Sequence, residues 1–179
     1  MKFKLLFLLV LTFWITHAVV YGQRSQSLIR KSPLGMEIFK EDSLYIKFTY
    51  SRMNRQKKVV FGGIVPYKKL WRLGDDEAPE ITLTRSVYIE NHFIPAGTYT
   101  LFAIPDTSQW TLVINKEPGQ YGLFKYDPKK DLCRINLPLY RSPKNFDDFT
   151  CYIDTTQTGI DIVMIWESTV MRIPIHWKP

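Results

Sequence analysis

The sequence predicts an all-β fold, a single antiparallel β-sandwich or barrel-like domain of about ten short strands. Apolar and polar residues alternate with a period of two wherever a pattern is legible. Clusters of Gly, Pro, Asn and Asp interrupt that alternation at the short intervals typical of sandwiches and barrels. No 3.6-residue apolar stripe is sustained anywhere, which leaves at most one short helical turn near residues 66–71, with Pro66 at its first helical position.

The first element is an address. Lys2 and Lys4 precede an apolar stretch from Leu5 to Ile15, the length of a signal-peptide core and short for a bilayer span. Small residues at Ala18 and Gly22 place cleavage after Gly22, and neither cysteine is near enough for a lipid-modified N-terminus. The expectation is an exported protein, periplasmic or extracellular, with no stable membrane span after cleavage. Residues 23–31 read as a flexible lead-in and 32–179 as one β domain. Of the 179 residues, 45% are hydrophobic and 15% aromatic, which suits one domain with a real core. Removing residues 1–22 takes two of the 24 basic residues and none of the 17 acidic ones, so the charge falls from +7 to +5 over 157 residues.

Leu44, Ile46, Phe48 and Tyr50 share one face of the first clear strand. Gly62-Gly63 after Val59-Val60-Phe61 reads as a turn or bulge; it lacks the spacing of a phosphate-binding loop. Residues 81–84 and 86–89 continue the alternation. Residues 97–104 and 110–114 flank Pro105-Asp106-Thr107-Ser108-Gln109 as a hairpin, and 160–166 and 169–175 suggest a second hairpin about Glu167-Ser168. Pro174 fits a position that donates no ladder hydrogen bond. Cys133 and Cys151 each occupy the apolar register of an alternating segment. In an oxidising compartment they can form a disulfide between neighbouring strands or remain two buried thiols.

Trp71-Arg72, followed by Asp75, Asp76 and Glu77, is the densest gathering of recognition chemistry. Arg72 offers a planar fork of donors, Tyr67 and Trp71 offer ring faces, and Asp76 and Glu77 accept hydrogen bonds, so these five residues form a candidate ligand site. The competing reading is an irregular crossover in which Trp71 plugs the core, Arg72 pairs with an acid and Gly74 permits a tight turn. The spacing does not suit a calcium loop, and two cysteines with His92 and His176 do not make a zinc site; no metal or cofactor is expected.

Hydrolysis by carboxylates from this segment would need a distant partner such as Asp161 or Glu90. No Gly-x-Ser-x-Gly elbow is present, and His92 reads as part of an exposed turn. Catalytic residues therefore stay unassigned. Arg52, Arg55, Lys57 and Lys58 read as a solvated loop, and export argues against nucleic acid as partner. The expected function is non-catalytic binding of a small molecule, glycan or envelope protein. A carboxylate-based hydrolase, with or without a metal, and a purely structural envelope component are the alternatives.

The blocks Ser32-Pro33-Leu34-Gly35, Phe61-Gly62-Gly63-Ile64-Val65-Pro66-Tyr67, Leu70-Trp71-Arg72, residues 94–105, Gly119-Gln120-Tyr121-Gly122 and Trp166-Glu167-Ser168-Thr169 occur in this order. In this combination the chain resembles the exported bacterial family called domain of unknown function 2911. The resemblance implies an exported all-β protein and assigns no activity. After Trp-Arg that family usually reads Thr-Gly-Ala-Asn-Glu; here Leu73-Gly74-Asp75-Asp76-Glu77 puts two acids where a small residue and an amide are usual.

Overall fold

The period-two segments become nine strands among the residues described, 32–177, of the computed structural model. They are β1 (Leu34–Glu41), β2 (Leu44–Ser51), β3 (Glu80–Leu83), β4 (Val87–Ile89), β5 (His92–Ile94), β6 (Gly97–Pro105), β7 (Gln109–Asn115), β8 (Asp131–Thr155) and β9 (Ile160–His176). The predicted export signal and lead-in lie outside the described residues. All neighbours pair antiparallel in one open sheet of order β1-β2-β3-β6-β7-β8-β9-β4-β5.

The 25-residue β8 is what bends this sheet around a core. Its first part, through Pro138, pairs with β7, and from Leu139 onward it pairs with β9, with register shifts between Arg141, Phe146 and Thr150. Inward-facing residues of the two halves then meet. Leu44, Ile46, Phe48 and Tyr50 of β2 are each at most 1% exposed, as the alternation predicts, and share a cluster with Ile162, Met164 and Trp166 of β9. Tyr50 Oη crosses the core to donate to the Cys151 carbonyl at 3.1 Å. Beyond β2 the chain continues onto β8, with Phe149 N–H donating to the Met53 carbonyl and Arg55 N–H to the Asp147 carbonyl.

The hairpin at 97–114 forms as expected, with Pro105 opposite Trp110. The one expected at 160–175 does not. Residues 160–176 are a single strand, and the element read as a turn is a bulge at Glu167, whose φ is 52°. Ile160, Ile162, Met164 and Trp166 face the main core before it; Met171, Ile173 and Ile175 face it afterwards. That switch from even to odd positions breaks the period of two as a turn would, although the chain never reverses. Pro174 lies past Met171, the last residue of β9 paired with β8, and before Ile175, which pairs with β4.

Residues 66–71 form a non-helical turn, and the helical turn lies at Pro128–Lys130 instead, capped by Asp127. Gly62 and Gly63 close a tight turn: Gly62 has φ 85°, and a Cβ at Gly63 would stand 2.3 Å from the Val59 carbonyl oxygen. The N–H groups of Gly62, Gly63 and Ile64 donate to the carbonyls of Val65, Val60 and Val59, so this turn has no donors left for a phosphate.

Gly35 of β1 packs against the Tyr50 ring, and an added Cβ would come within 2.5 Å of it. Gly35→Ala is expected to lower unfolding stability by about 1–3 kcal/mol through overpacking. Tyr50→Phe, which removes the bond to the Cys151 carbonyl and the contact with the Arg52 side chain, should cost about 1 kcal/mol. In the double variant the two losses should combine non-additively, because both act on one ring; urea melts of the four proteins check this.

Candidate functional site

Residues 66–79 cover the edge of β6 that β3 leaves open. Trp71 and Ala103 exchange backbone hydrogen bonds at 2.7 and 2.9 Å, Lys68 N–H donates to the Pro105 carbonyl, and Leu101 N–H donates to the Pro79 carbonyl. Strand-like pairing of an irregular segment sends adjacent side chains to opposite faces. Leu70 packs with Ala78, Phe102 and Val113 on one face, and Trp71 enters the main core on the other.

Trp71 is 8% exposed and sits among four other rings. Its centroid lies 5.7 Å from Trp110, 5.7 Å from Phe149, 6.1 Å from Phe61 and 6.1 Å from Trp166, three of these edge-on and Trp166 stacked. Trp71 is thus the core plug of the competing reading, with no ring face left for a ligand. Tyr67 is on the surface, beside a pocket of about 80 Å³ that it shares with Phe61, Asp106, Trp110 and Arg141.

The polar residues that follow close on one another. Arg72 Nη2 donates to Asp75 Oδ1 at 2.9 Å and Nε to the Asp75 carbonyl at 3.0 Å, while Ser32 Oγ donates to Asp75 Oδ2 at 3.0 Å. Asp76 accepts from Tyr121 Oη at 3.2 Å and, more loosely, from Ser32 N–H at 3.4 Å. The first of these bonds raises the Tyr121 pKa. Glu77 Oε2 accepts from Ser51 Oγ at 3.5 Å. The left-handed residue of this turn is Leu73, with φ 51°, and not Gly74. The five predicted residues therefore do not converge on one cavity: Tyr67 faces a small surface pocket, Trp71 the core, and Arg72, Asp76 and Glu77 a network that fastens the crossover to Ser32, Ser51 and Tyr121.

Asp75 borders a different feature, a cleft of about 660 Å³. Its walls are Ser32, Pro33, Asp75 and Ile64 together with the stretch Arg52–Gln56, Lys58, Asp148 and Thr150, and the buried Trp166 underlies it. The basic loop is solvated as expected at Arg52, Lys57 and Lys58, which are exposed, but it is fastened at Asn54 and Arg55. Arg55 pairs with Asp147 at 2.6 Å and Glu167 at 3.4 Å, Asn54 Nδ2 donates to Asp148 Oδ1 at 2.8 Å, and Asn54 Oδ1 accepts from Gln56 N–H at 2.8 Å. Gln56 and Lys57 both adopt left-handed φ, 52° and 62°, in a turn closed by Lys58 N–H to the Arg55 carbonyl. Such conformations cost non-glycine residues about 1–3 kcal/mol each and persist only where the surroundings enforce them. Lys57 is exposed and does not line the cleft.

Both cysteines lie on β8 rather than on neighbouring strands, and of the two alternatives it is the thiols that are present, Cys151 buried and Cys133 partly so. Eighteen residues of strand, at about 3.3 Å each, separate them, against the 7 Å limit for a disulfide's Cα atoms. Burial raises the pKa of Cys133, and that of Cys151 well above the usual thiol value. His92 opens β5, after the turn Glu90-Asn91, and its Nδ1 is buried without a partner, so it is not the exposed turn residue expected. Asp161 pairs with Arg172 at 3.0 Å, and neither it nor Glu90 lines the cleft.

Trp71→Ala should lower stability by about 3–5 kcal/mol, the usual cost of emptying a large aromatic site. Arg72→Ala, which breaks one half-exposed ion pair, should cost less than about 1 kcal/mol. Chemical denaturation of both variants is the check, and comparable losses would contradict these placements.

No curated protein and no solved structure matches the chain. The family model described as "Protein of unknown function (DUF2911)" matches residues 32–175, from the serine that anchors Asp75 to the β9 residue paired with β4, and the chain belongs to that family.

Proposed function

We propose that this protein is an exported, non-catalytic binding module that takes a small ligand in the cleft between the basic loop and Asp75. The carrying observation is a cavity of about 660 Å³ walled by a loop held in a strained conformation and tethered at Asn54 and Arg55. Its volume falls within the range of small-molecule sites, and a preorganised wall reduces the entropy lost on binding. The closed network at residues 72–77 would by itself suit a structural role; the cleft beside it favours binding.

Binding is preferred to acid–base catalysis because the acids near the cleft already have partners. Arg72 and Ser32 occupy both oxygens of Asp75, Asn54 occupies one oxygen of Asp148, and no third acid lines the cleft to pair with it. A general acid or base needs an oxygen directed at the reacting group.

The export part of the reading rests on residues 1–22. Mass analysis of the protein recovered from its native compartment is expected to show a chain beginning at Gln23; a chain that retains Met1 would refute it.

The binding part is tested by a thermal-shift screen of small molecules. A ligand at a hundred times its Kd adds about 2.7 kcal/mol, or roughly 5–10 °C in Tm for a domain of this size. The shift is expected to vanish in Ile64→Trp, which narrows the cleft from its exposed rim, with the unliganded Tm unchanged. A ligand shift that survives this substitution places the site elsewhere.

A further inference from the structure

Charges around the cleft do not cancel. The lining includes three cations, Arg52, Arg55 and Lys58, and two carboxylates, Asp75 and Asp148. Asp75 is neutralised by Arg72 and Asp148 is hydrogen-bonded by Asn54, while Arg55 is spent on Asp147 and Glu167. Among the described residues, neither Arg52 nor Lys58 forms an ion pair. Arg52 and Lys58 therefore face the cleft without an ion-pair partner, and the one lining carboxylate not paired with a cation, Asp148, leaves a net positive charge there.

Both are held in place by the fold. The Arg52 guanidinium lies 6.0 Å from the centroid of the Tyr50 ring, a cation–π distance, and that ring is fixed by the Tyr50–Cys151 hydrogen bond and by packing on Phe48 and Phe149. Arg52 N–H also donates to the Pro33 carbonyl at 2.8 Å, which fixes its backbone to the chain just before β1. Lys58 follows directly on the left-handed pair Gln56-Lys57, so the strained turn sets its position. The Arg52 side chain also hydrogen-bonds Tyr50, and the remaining N–H donors of its fork are available to an oxyanion. Besides polar residues such as Ser32, Gln56 and Thr150, the lining includes Pro33, Met53 and Ile64, whose apolar surface suits a hydrocarbon body.

We infer that the cleft selects a small organic anion, its carboxylate or phosphate held by Arg52 and Lys58 and its apolar body lying along Met53 and Ile64. This rests on the cleft being the binding site, and it adds the charge and size of the ligand. Carboxylate and phosphate headgroups share the chemistry, so the probes separate them.

The test is an NMR titration of the folded protein with benzoate, phenyl phosphate and neutral benzamide. At least one anion is expected to shift the amides of residues 52–58 and 75 and to bind at least tenfold more tightly than benzamide. The preferred anion identifies the headgroup. In the double variant Arg52→Ala/Lys58→Ala its affinity is expected to fall at least tenfold while that of benzamide stays unchanged, and raising the salt should weaken the anion alone. Equal affinity for benzamide and the anions, unaffected by the double variant, would overturn charge selection while leaving the cleft as a binding site. Anion binding that shifts amides elsewhere, or no shift with any probe, would overturn both.

Discussion

The insertion of Trp71 between the two halves of the bent sheet is the contact on which the rest depends. Its indole touches Trp110 of β7, Phe149 of β8 and Trp166 of β9 together with Phe61 of the preceding turn, so one side chain from an irregular segment links three strands. Aromatic rings at these edge-on and offset distances add about 0.5–1.5 kcal/mol per pair to the burial itself. The backbone on either side of Trp71 pairs with β6 and covers a strand edge that would otherwise expose unpaired N–H and C=O groups. Once the crossover is seated in this way, Arg72 through Glu77 have to turn back across the surface, and their charges find partners in Ser32, Ser51 and Tyr121.

The glutamate that follows Trp166 extends this constraint to the cleft. Trp166 faces the core at the end of an even-numbered register, and the left-handed Glu167 resets that register. The same backbone excursion directs the Glu167 carboxylate toward the basic loop, where it accepts from Arg55 and from Val60 N–H. Core packing and the shape of the cleft wall are therefore set by adjacent residues of one bulge.

What was legible in the sequence follows from the range of the interactions involved. β2 could be read because its alternation alone decides which side is buried. β9 reads as two strands because a bulge and a hairpin turn break the alternation alike, and only the partner strand distinguishes them. In the Trp71–Glu77 segment the residue types were evident but their directions were not: whether an indole enters the core or faces a ligand depends on pairing with Ala103, 32 positions away. The tethering of the basic loop is not legible because the partners of Arg55, Asp147 and Glu167, lie 92 and 112 positions along the chain. Nor do Gln56 and Lys57 signal the tight turn they form, which is of the kind that favours Asn-Gly.

That unfavourable turn bears on why the loop is built as it is. A Gly at position 57 would relieve left-handed strain and widen the range of loop conformations in the unfolded and folded chain alike. A side chain there narrows the range, and the pairs from Arg55 to Asp147 and Glu167 fix what remains. The strain is then offset by interactions that act on the loop wall rather than on the core, an arrangement that adds little to stability and much to the definition of a surface. A loop shaped only by solvation has no need of it.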